Sequence, residues 1–281
     1  MKTGPELIEV KSINEYLKGV VPSEMPHMWP AEALKAQTVA ARTYATFHIL
    51  HGGGGFYDVD DTVQYQAYTG NTDHRPQTDA AVDATSSIVM VYSDKIIQAY
   101  FSADAGGYTE GASDVWPVTA PYCISKPEVY TNAPLDPQEW GPWTVTLPLQ
   151  EMNNKLVAMN LIPASNPVVD LHIEDQNKDL SGRVKTVTLS LLDGTNLGLD
   201  GRGFHRALGL KSTLYTVELD QEGQLVVHGR GFGHGVGMSQ YGSRVLAQLS
   251  GWDDEKILGF YYTGIQFCEP SSKSPGDTVC H

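Results

Sequence analysis

Pro30-Ala31-Glu32-Ala33-Leu34-Lys35-Ala36-Gln37-Thr38-Val39-Ala40-Ala41-Arg42-Thr43-Tyr44-Ala45 is the stretch whose reading decides the fold. Pro30 suits the first turn of a helix, where its missing N–H is one of the donors a helix start leaves unpaired anyway. The alanines at 31, 33, 36, 40, 41 and 45 let neighbouring elements pack closely, and the pattern predicts a helix through about Leu50 that Gly52 to Gly55 stops. Upstream, Ser12-Ile13-Asn14-Glu15 has capping-box spacing before a short helix, which Gly19 is expected to end, leaving Val20 to Trp29 as a loop. Downstream come a helical turn near Asp79 to Ala84 and two apolar runs, Ile88 to Tyr92 and Ile96 to Phe101. Ser93-Asp94-Lys95 separates them, which is a hairpin signal.

Prolines at 117, 121, 127, 134, 137, 142 and 148 mark a surface crossing into a middle region of strands with one helix, Leu149 to Leu161. Leu214 to Leu219 and Leu225 to His228 flank Asp220-Gln221-Glu222-Gly223 as a second hairpin. A glycine-rich run and a helix from Ser239 follow. The expected class is α+β. Residues 1–125 and 214–281 are expected to form one catalytic body, with 126–213 inserted as a second lobe.

Composition narrows the function. Nineteen basic residues against thirty-three acidic give a net charge of −14 and a pI near 4.9, which opposes binding to nucleic acid or to an anionic membrane. The sequence offers no apolar stretch near the length of about 18 residues that a spanning helix needs, and its first ten residues lack the basic start and apolar run of a signal peptide. The chain is therefore cytoplasmic, or an export segment has been trimmed. Cys123, Cys268 and Cys280 are too few for a disulfide framework and lack metal-ligand spacing. Export would allow Cys268 and Cys280 to pair; otherwise all three are free thiols.

Two segments carry chemistry. In Val20-Val21-Pro22-Ser23-Glu24-Met25-Pro26, two prolines hold a carboxylate among Val21, Met25 and Trp29, a setting that suits a general acid as well as a solvated loop residue. In His228-Gly229-Arg230-Gly231-Phe232-Gly233-His234-Gly235-Val236-Gly237-Met238-Ser239-Gln240-Tyr241-Gly242, alternate glycines permit close approach of backbone to a ligand. The run lacks a phosphate-loop ending, and His228 and His234 lack the partners of a zinc site. His234 reads either as a substrate contact or as a hydrogen-bonded residue shaping the loop.

Tyr16-Leu17-Lys18-Gly19-Val20-Val21-Pro22-Ser23-Glu24-Met25-Pro26, Ala33 to Gln37 and Ala40-Ala41-Arg42-Thr43-Tyr44-Ala45 together resemble the stage II sporulation protein D family. The likeness continues through Gln64-Tyr65-Gln66-Ala67-Tyr68, Tyr100 to Glu110, Asp114-Val115-Trp116, Leu208 to Thr213, Gly233 to Gly242 and Tyr261-Tyr262-Thr263-Gly264. The resemblance implies an extracytoplasmic lytic transglycosylase acting on peptidoglycan glycan strands stripped of stem peptides, with Glu24 catalytic. It also implies a substrate-binding cleft that draws on Arg42, Gln64, Ser102, His234, Gln240 and Tyr241. Arg42 would meet a carboxylate, either the muramoyl lactyl group or a structural aspartate. Some members hold zinc through His and Cys, but Tyr100 and Phe101 stand where such a His would be, so neither metal nor cofactor is expected. The alternative is a non-catalytic glycan-binding module or an enhancer of a cell-wall amidase, the partner the family suggests.

Overall fold

The computed structural model describes residues 8–52, 57–60, 65–70, 74–128, 141–270 and 278–280. In chain order the elements are α1 (Ile13–Glu24), α2 (Ala31–Leu50), α3 (Pro76–Ala84), β1 (Val89–Tyr92), β2 (Lys95–Ile96), β3 (Phe101–Ser102), α4 (Ala112–Val115) and β4 (Trp143–Pro148). They continue with α5 (Leu149–Ala158), β5 (Val168–His172), β6 (Thr186–Leu191), β7 (Asn196–Asp200), α6 (Gly201–Leu208), β8 (Tyr215–Leu219) and β9 (Gln224–Gly229). Last come β10 (Met238–Ser239), α7 (Gln240–Ser250), α8 (Asp254–Tyr261), β11 (Gln266–Pro270) and β12 (Thr278–Cys280). Helices accompany strands that pair antiparallel in separate sheets, so the class is α+β.

The chain divides into two compact units, one of residues 1–101, 120–122 and 243–281, the other of residues 102–119 and 123–242. The first is built around α2. Every residue from Ala36 to Ala45 is buried, because α1, α3, α8 and β1 all pack on this helix. A helix surrounded in this way must be thin, and alanine makes it so. The sheet beside it runs β12-β11-β1-β2. β1 and β2 form the expected hairpin, with Tyr92 opposite Lys95 and both turn residues, Ser93 and Asp94, at positive φ (50° and 61°), the backbone of a type I′ turn. The second strand is only two residues long, because the Gln98 N–H leaves the ladder to bond the Tyr122 hydroxyl at 2.9 Å.

One expectation is overturned at the start of the chain. The Ser12 capping box is present, with Glu15 N–H on Ser12 Oγ at 3.3 Å and Ser12 N–H on Glu15 Oε2 at 3.2 Å. The helix it opens does not stop at Gly19, however, but runs on to Glu24 with Pro22 inside. Proline at 22 removes one N–H near the helix end, and the ladder resumes at once with Met25 N–H on Val21 O at 2.9 Å. Gly19 is a contact glycine: a Cβ there would lie 2.5 Å from Tyr68 Cε2 and 2.7 Å from Gly70 O. Its role is close approach within a helix, so its presence is a poor sign of termination.

The second unit has two three-stranded antiparallel sheets, β4-β9-β8 and β5-β6-β7, with α5 and α6. Strict alternation along β6 buries Val187, Leu189 and Leu191, and these join Trp143, Met152, Leu156, Phe204, Leu225 and Val227 in one core. β8 and β9 are the expected hairpin, in register from Tyr215↔Gly229 to Leu219↔Leu225. Asp220 Oδ1 accepts the N–H groups of Glu222 and Gln224 at 2.9 and 2.8 Å, while Gly223 takes φ 74°. Pro134 and Pro137 of the proline-rich crossing lie outside the described residues.

Candidate active site

Glu24 closes α1 in the first unit, and its carboxyl is held by the segment 65–70. The Ala67 N–H donates to Glu24 Oε1 at 2.7 Å. The neighbours of Ala67 are fixed in turn. Gln66, 1% exposed, donates Nε2–H to Ala41 O at 3.0 Å and accepts the Tyr16 hydroxyl at 3.1 Å. Tyr68 stacks on Tyr16 with ring centroids 5.3 Å apart, and Thr69 shares a 2.8 Å hydrogen bond with Ser23. Burial raises the Tyr16 phenol above its ordinary value, and the nearby Glu24 charge adds to the rise. Tyr16 is therefore a neutral donor.

This mount makes a prediction. Gly19→Ala would press a methyl against Tyr68 and the Gly70 carbonyl, and the strand of chain carrying Ala67 would have to shift. We expect a loss of about 1–3 kcal/mol in thermal or urea unfolding. An unchanged midpoint would show that the segment yields freely.

Arg42 is placed differently from the role the resemblance implies. It is 1% exposed, and its Nη1–H groups go to Thr85 O at 2.7 Å, Thr85 Oγ1 at 3.3 Å and Ile88 O at 3.4 Å. Its Nη2–H groups go to Val82 O at 3.2 Å and Asn14 Oδ1 at 3.3 Å. The guanidinium thus caps the carbonyl end of α3, where the helix dipole favours a cation, and burial alone lowers its pKa to about 10. Asn14 and Glu24 lie at opposite ends of α1, ten residues or about 15 Å apart. Arg42 therefore positions α3 against α1 and α2. Gln64 lies outside the described residues.

In the second unit the glycine-rich loop is packed against its own protein. Gly231, Gly233, Gly235 and Gly237 have φ of 76°, 94°, 76° and 71°. A Cβ at Gly231 would meet Asp104 O at 2.9 Å, one at Gly233 would meet Ser102 Cβ at 3.0 Å, and one at Gly235 would strike the Arg183 guanidinium. The alternation therefore serves positive φ and close intramolecular approach. Ser102, 8% exposed, accepts the Gly235 N–H at 3.2 Å. Tyr241 is buried and its N–H bonds Ala103 O at 2.9 Å, and Gln240 is buried at the first position of α7. His234 is half-buried. Its Nδ1 accepts the Val236 N–H at 2.9 Å, which places the ring proton on Nε2 in the neutral form, and Trp116 packs edge-on at 4.9 Å.

Beneath the loop lies a buried ion pair whose partners, Glu110 and Arg183, stand 73 residues apart in the chain. Glu110 and Arg183 are 1% and 2% exposed in their side chains, with Glu110 Oε2 3.4 Å from Arg183 Nε. Ser181 Oγ donates to Glu110 Oε2 at 2.7 Å, the Gly111 N–H to Oε1 at 2.9 Å, and Arg183 Nη2–H to Ala105 O at 2.9 Å. Burial nonetheless pushes the Glu110 carboxyl above its ordinary range, with Asp179 pushing the same way.

At the position where the resemblance puts a zinc-binding His, Tyr100 and Phe101 offer no imidazole nitrogen. Tyr100 donates its hydroxyl to Gln98 Oε1 at 2.6 Å, and Phe101 packs edge-on against Tyr44 at 6.4 Å. Cys123 is buried with its thiol pushed up by desolvation. Among the described residues there is no cluster of three His, Cys, Asp or Glu side chains.

A sequence profile described as stage II sporulation protein matches residues 2–92. The chain is 30% identical to stage II sporulation protein D of Bacillus subtilis, over 95% of this chain and 78% of that one. It is 36% identical to an uncharacterised protein of Brachyspira hyodysenteriae, over 92% of this chain and 67% of that one. With the amidase enhancer of Bacillus subtilis the identity is 33%, over 88% of this chain but only 39% of the relative. The α+β architecture and the Glu24 mount are thus those of a chain that belongs to the stage II sporulation protein D family. Among the described residues no helix is long and apolar enough to cross a membrane.

Proposed function

We propose that this protein is a lytic transglycosylase that cuts peptidoglycan glycan strands, stripped of stem peptides, between muramoyl and glucosaminyl units outside the cytoplasm. The observation that carries the reading is the fixed carboxyl of Glu24, held through Oε1 by the Ala67 N–H on a segment pinned at Gln66, Tyr68 and Thr69. With Oε1 accepting an N–H, a proton carried by the acid sits on Oε2. Glu24 donates that proton to the glycosidic oxygen, and the resulting carboxylate takes one from the muramoyl hydroxyl on carbon six. That hydroxyl closes onto the anomeric carbon with help from the acetamido group. Because the substrate supplies its own nucleophile in place, one protein carboxylate suffices.

In this reading His234 contacts the glycan and Gln64 contributes to its binding, while Ser102, Gln240 and Tyr241 hold the glycine-rich loop and Arg42 acts as a positioning residue. Mass spectrometry of products from peptide-free glycan tests the reaction: 1,6-anhydromuramoyl ends are expected. Reducing ends carrying solvent oxygen would demand a water nucleophile and a second carboxylate, and would remove the proposal.

The relative named amidase enhancer favours a second reading, in which the chain binds glycan and stimulates a cell-wall amidase without cutting. Glycan binding with no product from the wild-type protein would select it.

A further inference from the structure

We infer that Phe232 is a sugar-stacking platform, its ring presented to one face of an N-acetylated hexose, with His234 supplying a polar contact beside it. This rests on the proposed glycan activity and names a contact that neither the glycine pattern nor the family motifs single out. Phe232 is 50% exposed although its backbone is among the most constrained in the loop. Its N–H and C=O both pair with Asp104, at 2.8 and 3.0 Å. Its neighbours Gly231 and Gly233 hold φ of 76° and 94° in places where a Cβ would press on Asp104 O and Ser102 Cβ. The backbone on both sides of the ring is thus held, and the ring stands half in water.

Two residues further on, the Val236 N–H fixes the His234 tautomer so that Nε2 carries the proton, and Trp116 packs against the imidazole at 4.9 Å. An exposed π-face with a positioned N–H donor close by in the chain is the chemistry that recognises a pyranose. The electron-rich ring meets the apolar C–H face of the sugar, and the donor meets a hydroxyl or acetamide oxygen. Neither contact needs Coulombic attraction, which suits a chain of net charge −14.

The test measures calorimetric affinity for peptide-free glycan strands in a Glu24→Gln background, so that the probe survives. Phe232→Ala and Phe232→Leu should weaken binding about tenfold, as the loss of an aromatic anchor does, while Phe232→Tyr should retain it and all three should keep the parent melting temperature. Equal binding by the Leu and Tyr variants would overturn the inference, because hydrophobicity rather than a ring would then suffice. Weakening that follows a fall in melting temperature would assign Phe232 a structural role instead. Failure of the Glu24→Gln parent to bind glycan, where the wild-type protein also neither binds nor cuts, would overturn the proposed function itself and this inference with it.

Discussion

Glu24→Gln is expected to remove turnover on peptide-free glycan by at least about 10²–10⁴-fold, the range a positioned acid–base group supplies. Gln is nearly the same size and its carbonyl oxygen can still accept the Ala67 N–H that Glu24 Oε1 takes at 2.7 Å. The 65–70 segment should therefore stay docked, and glycan affinity and melting temperature should remain close to the wild type. What the amide cannot do is give up and recover a proton. The loss should consequently fall on kcat with KM little changed, since the interaction removed is one made in the transition state. Near-normal turnover by the variant would take Glu24 out of the chemistry and leave the amidase-enhancer reading in possession.

The largest expected effect on stability lies at Arg183. Arg183→Met should cost about 3–5 kcal/mol, the range for stripping one partner from a buried ion pair. Arg183 is the cation whose charge acts on Glu110, Asp179, Asp104 and Glu128, of which Glu110, Asp104 and Glu128 are no more than 5% exposed. Without it Glu110 and Asp179, which already repel each other, lose that cation, and the Ala105 carbonyl loses its donor. Changing Glu110 to Gln in the same chain should recover part of the loss, because the orphaned charge is then gone. Urea unfolding followed by two probes would measure both effects. A single variant within 1 kcal/mol of the wild type would mean that the pair is relieved by water.

Local signals carried much of the architecture. The capping box at Ser12, the alanine pattern from 31 to 45, the two hairpins with Ser93-Asp94 and Asp220 to Gly223, and the middle helix all depend on chain neighbours, and the structure has each of them. The α1 boundary was misleading because Gly19 is selected by Tyr68 and Gly70, some fifty residues downstream, and no local rule sees them. The same physics explains the site. Glu24 was visible through its flanking prolines and the family motif, but the donor that orients it is a backbone N–H at Ala67, which has no signature in a side chain. Gln66 turns inward to anchor that segment, and its place within the Gln64-Tyr65-Gln66-Ala67-Tyr68 motif was the available hint. Arg42 looked like a ligand for an anion, whereas its real partners are carbonyls of α3. Carbonyl acceptors are supplied by any helix end, so sequence alone could not choose between the two.

The sheet order β12-β11-β1-β2 carries a consequence for the outer edge of the sheet. Cys268 in β11 is disulfide-bonded, and the register sets the Cys280 backbone directly opposite it. The backbone of β12 is held to β11 by a ladder of three residue pairs. Release of β12 would leave β11 as a bare edge able to template an unrelated strand. A strand of three residues thus stands at this edge in place of the five-residue β11, leaving less backbone on which another chain could pair.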